Sequence, residues 1–169
     1  MKCRSGKVAE MRMWFDRAVA AQFDYIRAYV NLFWALRPRW HGSIEQLYAF
    51  ADECLATKRY DTEVPDQIWM IFEGIAADEE GLAKHFAKRR NYEMLKQLVE
   101  GISAEPGRKD DHAYWRTLLL IASSWTDRTE EAEKLLAELP QGLDAKACER
   151  AKVDPSQIVA KLREGNGKK

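Results

Sequence analysis

The chain has 169 residues, nearly a third of them charged, with 27 basic and 27 acidic side chains and a net charge of zero. That balance excludes a general polyanion binder, and a chain of this size buries roughly two thirds of its unfolded surface without covalent staples. The three cysteines, Cys3, Cys54 and Cys148, are far apart and outside any CxxC or Cys/His pairing, so neither a disulfide framework nor a zinc site is expected and a reducing compartment is.

The basic N-terminus, MKCRSGKVAE, lacks an apolar core and a cleavage site, and no run reaches the length a membrane span needs. The chain is therefore read as a cytoplasmic protein with no membrane segment, a single domain over 1–169 whose ends, 1–6 and 165–169, fray.

Helical periodicity dominates and alternating strand runs are missing, so the fold class is all-α. A first helix is predicted over 7–22, with Met11, Trp14, Phe15, Ala18 and Val19 on one face. A second starts at Asp24 as N-cap and carries Ile26, Tyr29, Val30, Phe33 and Trp34 up to the stop at Pro38. Ser43, with Gln46 three residues on, caps a third helix whose stripe is Ile44, Leu47, Phe50, Ala51 and Cys54. Pro65 or Asp66 opens a fourth, apolar around much of its circumference through Ile68, Trp69, Ile71, Phe72 and Ile75, and hence central.

From Glu79 to Ser103 the pattern continues as a long helix, divided near Asn91, and AEPGRKDD follows as a loop. Residues 112–125 form the next helix, with Trp115, Leu118, Leu119, Ala122 and Trp125 inward. After a TDRTEE turn comes an amphipathic helix. A short helix then follows Pro140 and Gly142, and the last is capped by Asp154 with Pro155 at its first position and Gln157 completing the box. About seven to nine helices joined by short polar turns fit a solenoid of antiparallel hairpins; a bundle is the alternative.

Two stretches resemble tetratricopeptide repeats. FDRAVAAQFDYIRAYVNL is similar to a junction between two of them, with Phe15, Ala18, Tyr25 and Ala28 as the aromatic and small positions and Phe23 where the turn proline is usual. WRTLLLIASSWTDRTEEAEKLLAEL is similar again, with Ala132, Leu135 and Leu136 on its inner face. The segment YVNLFWALRPRWHGSIEQLYAFADECLATKRYDTEVP resembles an uncharacterised family of bacterial tetratricopeptide-like helical proteins with a PRWxGS turn. The resemblance is carried here by Pro38, Arg39, Trp40, Gly42 and Ser43, then Phe50, Ala51 and Cys54. His41 departs from that turn, where glycine is usual. The resemblance implies a tetratricopeptide-like fold and no reaction.

No signature of catalysis survives inspection. The three histidines, His41, His85 and His112, have no second ligand at helical spacing, and no serine sits in an elbow motif. Asp110 and Asp111 beside His112 suit a helix N-terminus, and Asp78, Glu79 and Glu80 read as a solvated helix start. No metal and no cofactor is expected.

Two clusters could meet a partner. Arg39, Trp40 and His41 lie in the turn RPRWHGSI, where the indole of Trp40 is expected to fold back and seal the hairpin; an outward ring would instead be a hot spot. The other five tryptophans, Trp14, Trp34, Trp69, Trp115 and Trp125, are expected in cores. The basic cluster Lys84, Lys88, Arg89 and Arg90, with Phe86 and Tyr92 interleaved and Lys84 and Lys88 one turn apart, could track phosphates and stack a base. The favoured reading is a non-catalytic scaffold or adaptor that binds a protein or peptide. The alternatives are a nucleic-acid-binding module using residues 84–90 or an enzyme whose site is dispersed over carboxylates and His112.

Overall fold

The computed structural model describes residues 4–78 and 81–166; what was expected of Cys3, Glu79, Glu80 and the last three residues lies outside them. The described residues are all-helical, with ten α-helices and two short 3-10 segments. In order these are α1 (Arg4–Ala21), α2 (Ile26–Leu36), α3 (Ile44–Ala56), α4 (Gln67–Asp78), α5 (Leu82–Ala87), α6 (Arg89–Ala104), α7 (His112–Trp125), α8 (Thr129–Ala137), α9 (Ala145–Ala151) and α10 (Pro155–Asn166). The count slightly exceeds the expected range. Helices α1 and α10 run into the terminal segments expected to fray. None of the described helices is long and apolar enough to cross a membrane. The chain groups into two units, Met1–Asp78 and Glu79–Lys169.

In the first unit α1 packs on α2 and α3 on α4. Its core begins with three rings: Phe15 meets Tyr29 edge-on at 5.0 Å and Phe50 edge-on at 5.6 Å, while Tyr29 and Phe50 stack at 6.1 Å. Leu32, Leu47, Ile68, Ile71, Phe72 and Ile75 extend it. Helix α4 is central to this unit, as its broad apolar surface requires. It reaches α2 where Gly74 has no side chain: a Cβ there would lie 2.6 Å from the Phe33 ring.

Capping follows the sequence at some ends and not at others. Ser43 Oγ accepts the amide of Gln46 at 3.3 Å, and Asp154 accepts the amide of Ser156 at 2.8 Å. Asp24 does not cap α2: Tyr25 occupies the N-cap without a side-chain bond, and the Asp24 carboxylate takes the Gln22 amide instead. The 106–111 loop is wound into a 3-10 turn opened by Pro106.

The second unit is organised around α7, which contacts α5, α6, α8, α9 and α10. Every residue from Thr117 to Ser124 is buried, so this helix is covered on all sides. Its polar groups are matched. Thr117 Oγ1 accepts the Asp144 amide at 3.0 Å, and the hydroxyls of Ser123 and Ser124 donate to the carbonyls of Leu119 and Ile121. The break between α5 and α6 falls at Lys88, whose ψ of 116° is extended. No proline or glycine causes it. The Asn91 side chain donates to the His85 carbonyl at 2.9 Å, which also accepts the Lys88 amide at 3.3 Å.

The turn after α2 has the tightest backbone approach among these features. His41 takes a φ of 93°, a left-handed conformation that costs a side-chain-bearing residue about 1–2 kcal/mol. Gly42 is needed for space: a Cβ there would fall 1.9 Å from the Leu36 carbonyl oxygen. Equilibrium urea unfolding should find Gly42→Ala destabilised by about 2–3 kcal/mol, as backbone must move. The same measurement should find His41→Gly more stable by about 0.5–1 kcal/mol, the strain relieved less the added chain entropy.

Candidate partner-binding site

Pro38 ends α2 at Leu36 and holds Arg37 extended, at φ −66° and ψ 143°, as the residue before a proline must be. Residues Pro38–Trp40 form a 3-10 turn, closed by the amides of Trp40 and Gly42, which both donate to the Arg37 carbonyl at 2.8 and 3.1 Å. This turn throws Trp40 outward. Its ring is 58% exposed, so the indole does not seal the hairpin as expected. Arg39 and His41 are exposed with it, which brings the three sequence-predicted residues to one stretch of surface.

The site is larger than those three. Trp34, expected in the core, is 47% exposed. The Arg37 guanidinium lies over its ring at 5.0 Å and over Phe33 at 5.8 Å. Arg37 also approaches Asp78 at 4.0 Å, and Arg39 approaches the same carboxylate at 3.5 Å. Two guanidiniums thus share one carboxylate at long range, an arrangement worth about 0–1 kcal/mol per pair. The buried Nε of Arg37 has no hydrogen-bond partner. Trp34, Arg37, Asp78 and Arg39 therefore form one chain of contacts, with Trp40 next to Arg39 in sequence.

Trp34 and Arg37 were missed because an apolar helical pattern says which residues share a face, not whether another helix covers it. A signal was present. Arginine three residues after an aromatic puts the two on adjacent turns, and the spacing recurs at Trp14 and Arg17, where the guanidinium lies 5.2 Å from the ring. Trp14 is exposed too, again contrary to expectation, as are Met13 and Tyr25. Among the described residues, these five large apolar side chains, Met13, Trp14, Tyr25, Trp34 and Trp40, are the exposed ones, and all belong to the first unit. Trp69 and Trp115 are buried as expected, the former donating to Glu73 at 2.8 Å, and Trp125 is half-buried beside Phe86.

The basic cluster of the second unit is different from its sequence reading. Lys84, Lys88, Arg89 and Arg90 are exposed, but Lys84 lies in α5 and Lys88 at the break, so they do not sit one turn apart on a common helix. Phe86 and Tyr92 are fully packed, Tyr92 at 1% exposure, and neither can stack a base. The Tyr92 hydroxyl bonds Ser123 Oγ at 2.8 Å, and Arg128 covers the ring at 3.9 Å.

The dispersed groups considered for catalysis are tied elsewhere. His112 Nε2 bonds the Ile102 carbonyl at 3.0 Å, and Asp111 pairs with Arg108. Among the described residues no group of His, Cys, Asp and Glu is placed to hold a metal ion. A cleft of about 190 Å³ between α6, α7 and α8 is lined by Lys96, Arg116 and Lys134 against Glu100, Glu131 and Glu138. Two of these cations are paired within it, Lys96 with Glu131 at 2.7 Å and Arg116 with Glu138 at 3.5 Å. Its charges neutralise one another.

No family model matches the chain, and no curated protein or solved structure does either.

Burial, foremost, pushes the Tyr92 phenol up to about 12 and likewise that of Tyr29. An unfolded tyrosine titrates near about 10, so the native chain holds these protons more tightly. Their contribution to stability is complete below that pH and is lost as pH rises through about 12. Unfolding followed against pH should show this alkaline decline, and Tyr92→Phe should make it shallower while costing about 1 kcal/mol at neutral pH for the lost hydrogen bond. An unchanged alkaline limb in the variant would remove Tyr92 from the account.

Proposed function

We propose that this protein is a non-catalytic scaffold or adaptor that binds a protein or peptide partner through the surface carrying Trp34, Arg37, Arg39, Trp40 and His41. The observation that carries the reading is the exposure of Trp34 and Trp40 on either side of an arginine pair. Tryptophan and arginine are the residues most enriched where binding energy concentrates, and an exposed apolar cluster beside cations is uncommon on a surface with no partner.

The architecture we infer is a tetratricopeptide-like series of helix hairpins. Its support is the pairing of consecutive helices, α1 with α2, α3 with α4, α6 with α7 and α7 with α8, and the burial of the small residues Ala28 and Ala132 named by the resemblance. We place it in the cytoplasm. Cys54 and Cys148 are buried free thiols, raised by burial and thus unreactive, as suits a chain that does not rely on oxidation. Nucleic-acid binding through residues 84–90 is the weaker reading, since the aromatics it needed are packed in a core.

The test compares the wild-type chain with the Trp34→Ala, Trp40→Ala double variant as baits in the native host. Trp34 is 47% and Trp40 58% exposed, so the variant should keep its helical circular dichroism while losing at least about tenfold of its specifically recovered partner. Equal recovery by both baits would refute this surface as the binding site.

A further inference from the structure

Residues 25–44 carry three arginines, Arg27, Arg37 and Arg39, one histidine and no carboxylate, between Asp24 and Glu45, in a chain whose net charge is zero. This segment also supplies three of the five exposed large apolar side chains, Tyr25, Trp34 and Trp40. Asp78 reaches it from α4, but that one carboxylate is divided between two guanidiniums at 3.5 and 4.0 Å. Among the described residues, cations therefore outnumber the carboxylates paired with them beside the exposed indoles. Arg39, 73% exposed, retains donors directed to solvent in the fork that suits a carboxylate.

We infer that the surface formed by Trp34, Arg37, Arg39 and Trp40 selects an acidic peptide segment of a partner protein, one that sets Asp or Glu side chains against the arginines and an apolar side chain against the indoles. The inference rests on the partner-binding reading and adds the partner's charge and anchor. Attraction between opposite charges sets register and speeds encounter, while the indoles supply the desolvated contact that slows departure. A peptide is favoured over a nucleic acid because Arg37 is not a free cation on a phosphate track. It is largely buried, laid over Trp34 and Phe33 and drawn to Asp78, and the chain as a whole provides no positive field.

The test is a titration of the full chain, followed by nuclear magnetic resonance, with three peptides of about 15 residues sharing the same Leu and Phe anchors. One carries Glu at its polar positions, one Gln and one Lys; a single-stranded oligouridine is the fourth probe. The Glu peptide should shift the indole signals of Trp34 and Trp40 and the amides of 37–41. Its binding should weaken about tenfold in Arg39→Glu and fall with added salt. Arg39→Glu alters an exposed side chain, so its unperturbed spectrum elsewhere certifies the fold.

If the Gln peptide binds the same residues as tightly, the charge inference fails and the peptide-binding reading stands. If the oligouridine shifts these residues at lower concentration than the Glu peptide, both fail. No shift at 34–41 with the Glu peptide at about 1 mM overturns the inference. So does a concentration-dependent dimer that shields both indoles, since the occupant would then be a second copy of the chain.

Discussion

The near-contact between the backbone of Gly42 and the carbonyl of Leu36 is the constraint on which the surface of the first unit depends. With Pro38 ending α2, the chain has only the residues from Arg37 to Gly42 in which to reverse before Ser43 caps α3. Closing so short a turn forces the backbone onto the end of the helix it has just left. Side chains in the turn then have no interior to enter. Trp40 is outside for that reason, and the arginines on either side of Pro38 are held close enough to share Asp78. Packing within the unit reinforces the arrangement, because Gly74 admits the Phe33 ring and so brings α4, which carries Asp78, against α2.

The two units solve the burial of polar groups in different ways. In the second, α7 is surrounded, and each buried hydroxyl along it finds a carbonyl or an amide; the Tyr92 phenol joins this set and loses contact with water. Outside that core, charged side chains face one another across a shallow cleft and cancel. In the first unit α1 and α2 have faces no helix of the unit covers, and aromatic rings remain there under arginines. Among the described residues, the exposed large apolar side chains all belong to the first unit.

Much of the fold was legible where a residue acts through its own backbone. Pro38, Ser43, Pro155 and the absence of strand alternation located helix ends and class, because fixed φ, a capping hydroxyl or a missing amide operate within a few residues. The break at Lys88 was anticipated only approximately, since no proline or glycine marks the bend. Burial was less legible. Trp14 and Trp34 share faces with residues that are buried, and periodicity alone does not say how wide a strip the neighbouring helix covers. Tyr92 failed in the opposite sense: it follows arginines in sequence but occupies the inner face of α6. The candidate site was therefore half visible, through the composition of its turn, and half hidden, in the helix leading into it.

The guanidinium over two of the exposed indoles bears on how the free protein behaves in a crowded solution. Arg17 above Trp14 and Arg37 above Trp34 place a charge on a ring that would otherwise offer an oily plate to any neighbour. Two such molecules approaching ring to ring bring like charges together before the rings can touch. About half of each indole still meets water, so a partner bearing the opposite charge encounters no such barrier. Like charges over these rings oppose the ring-to-ring approach of two copies more than the approach of a partner of opposite charge.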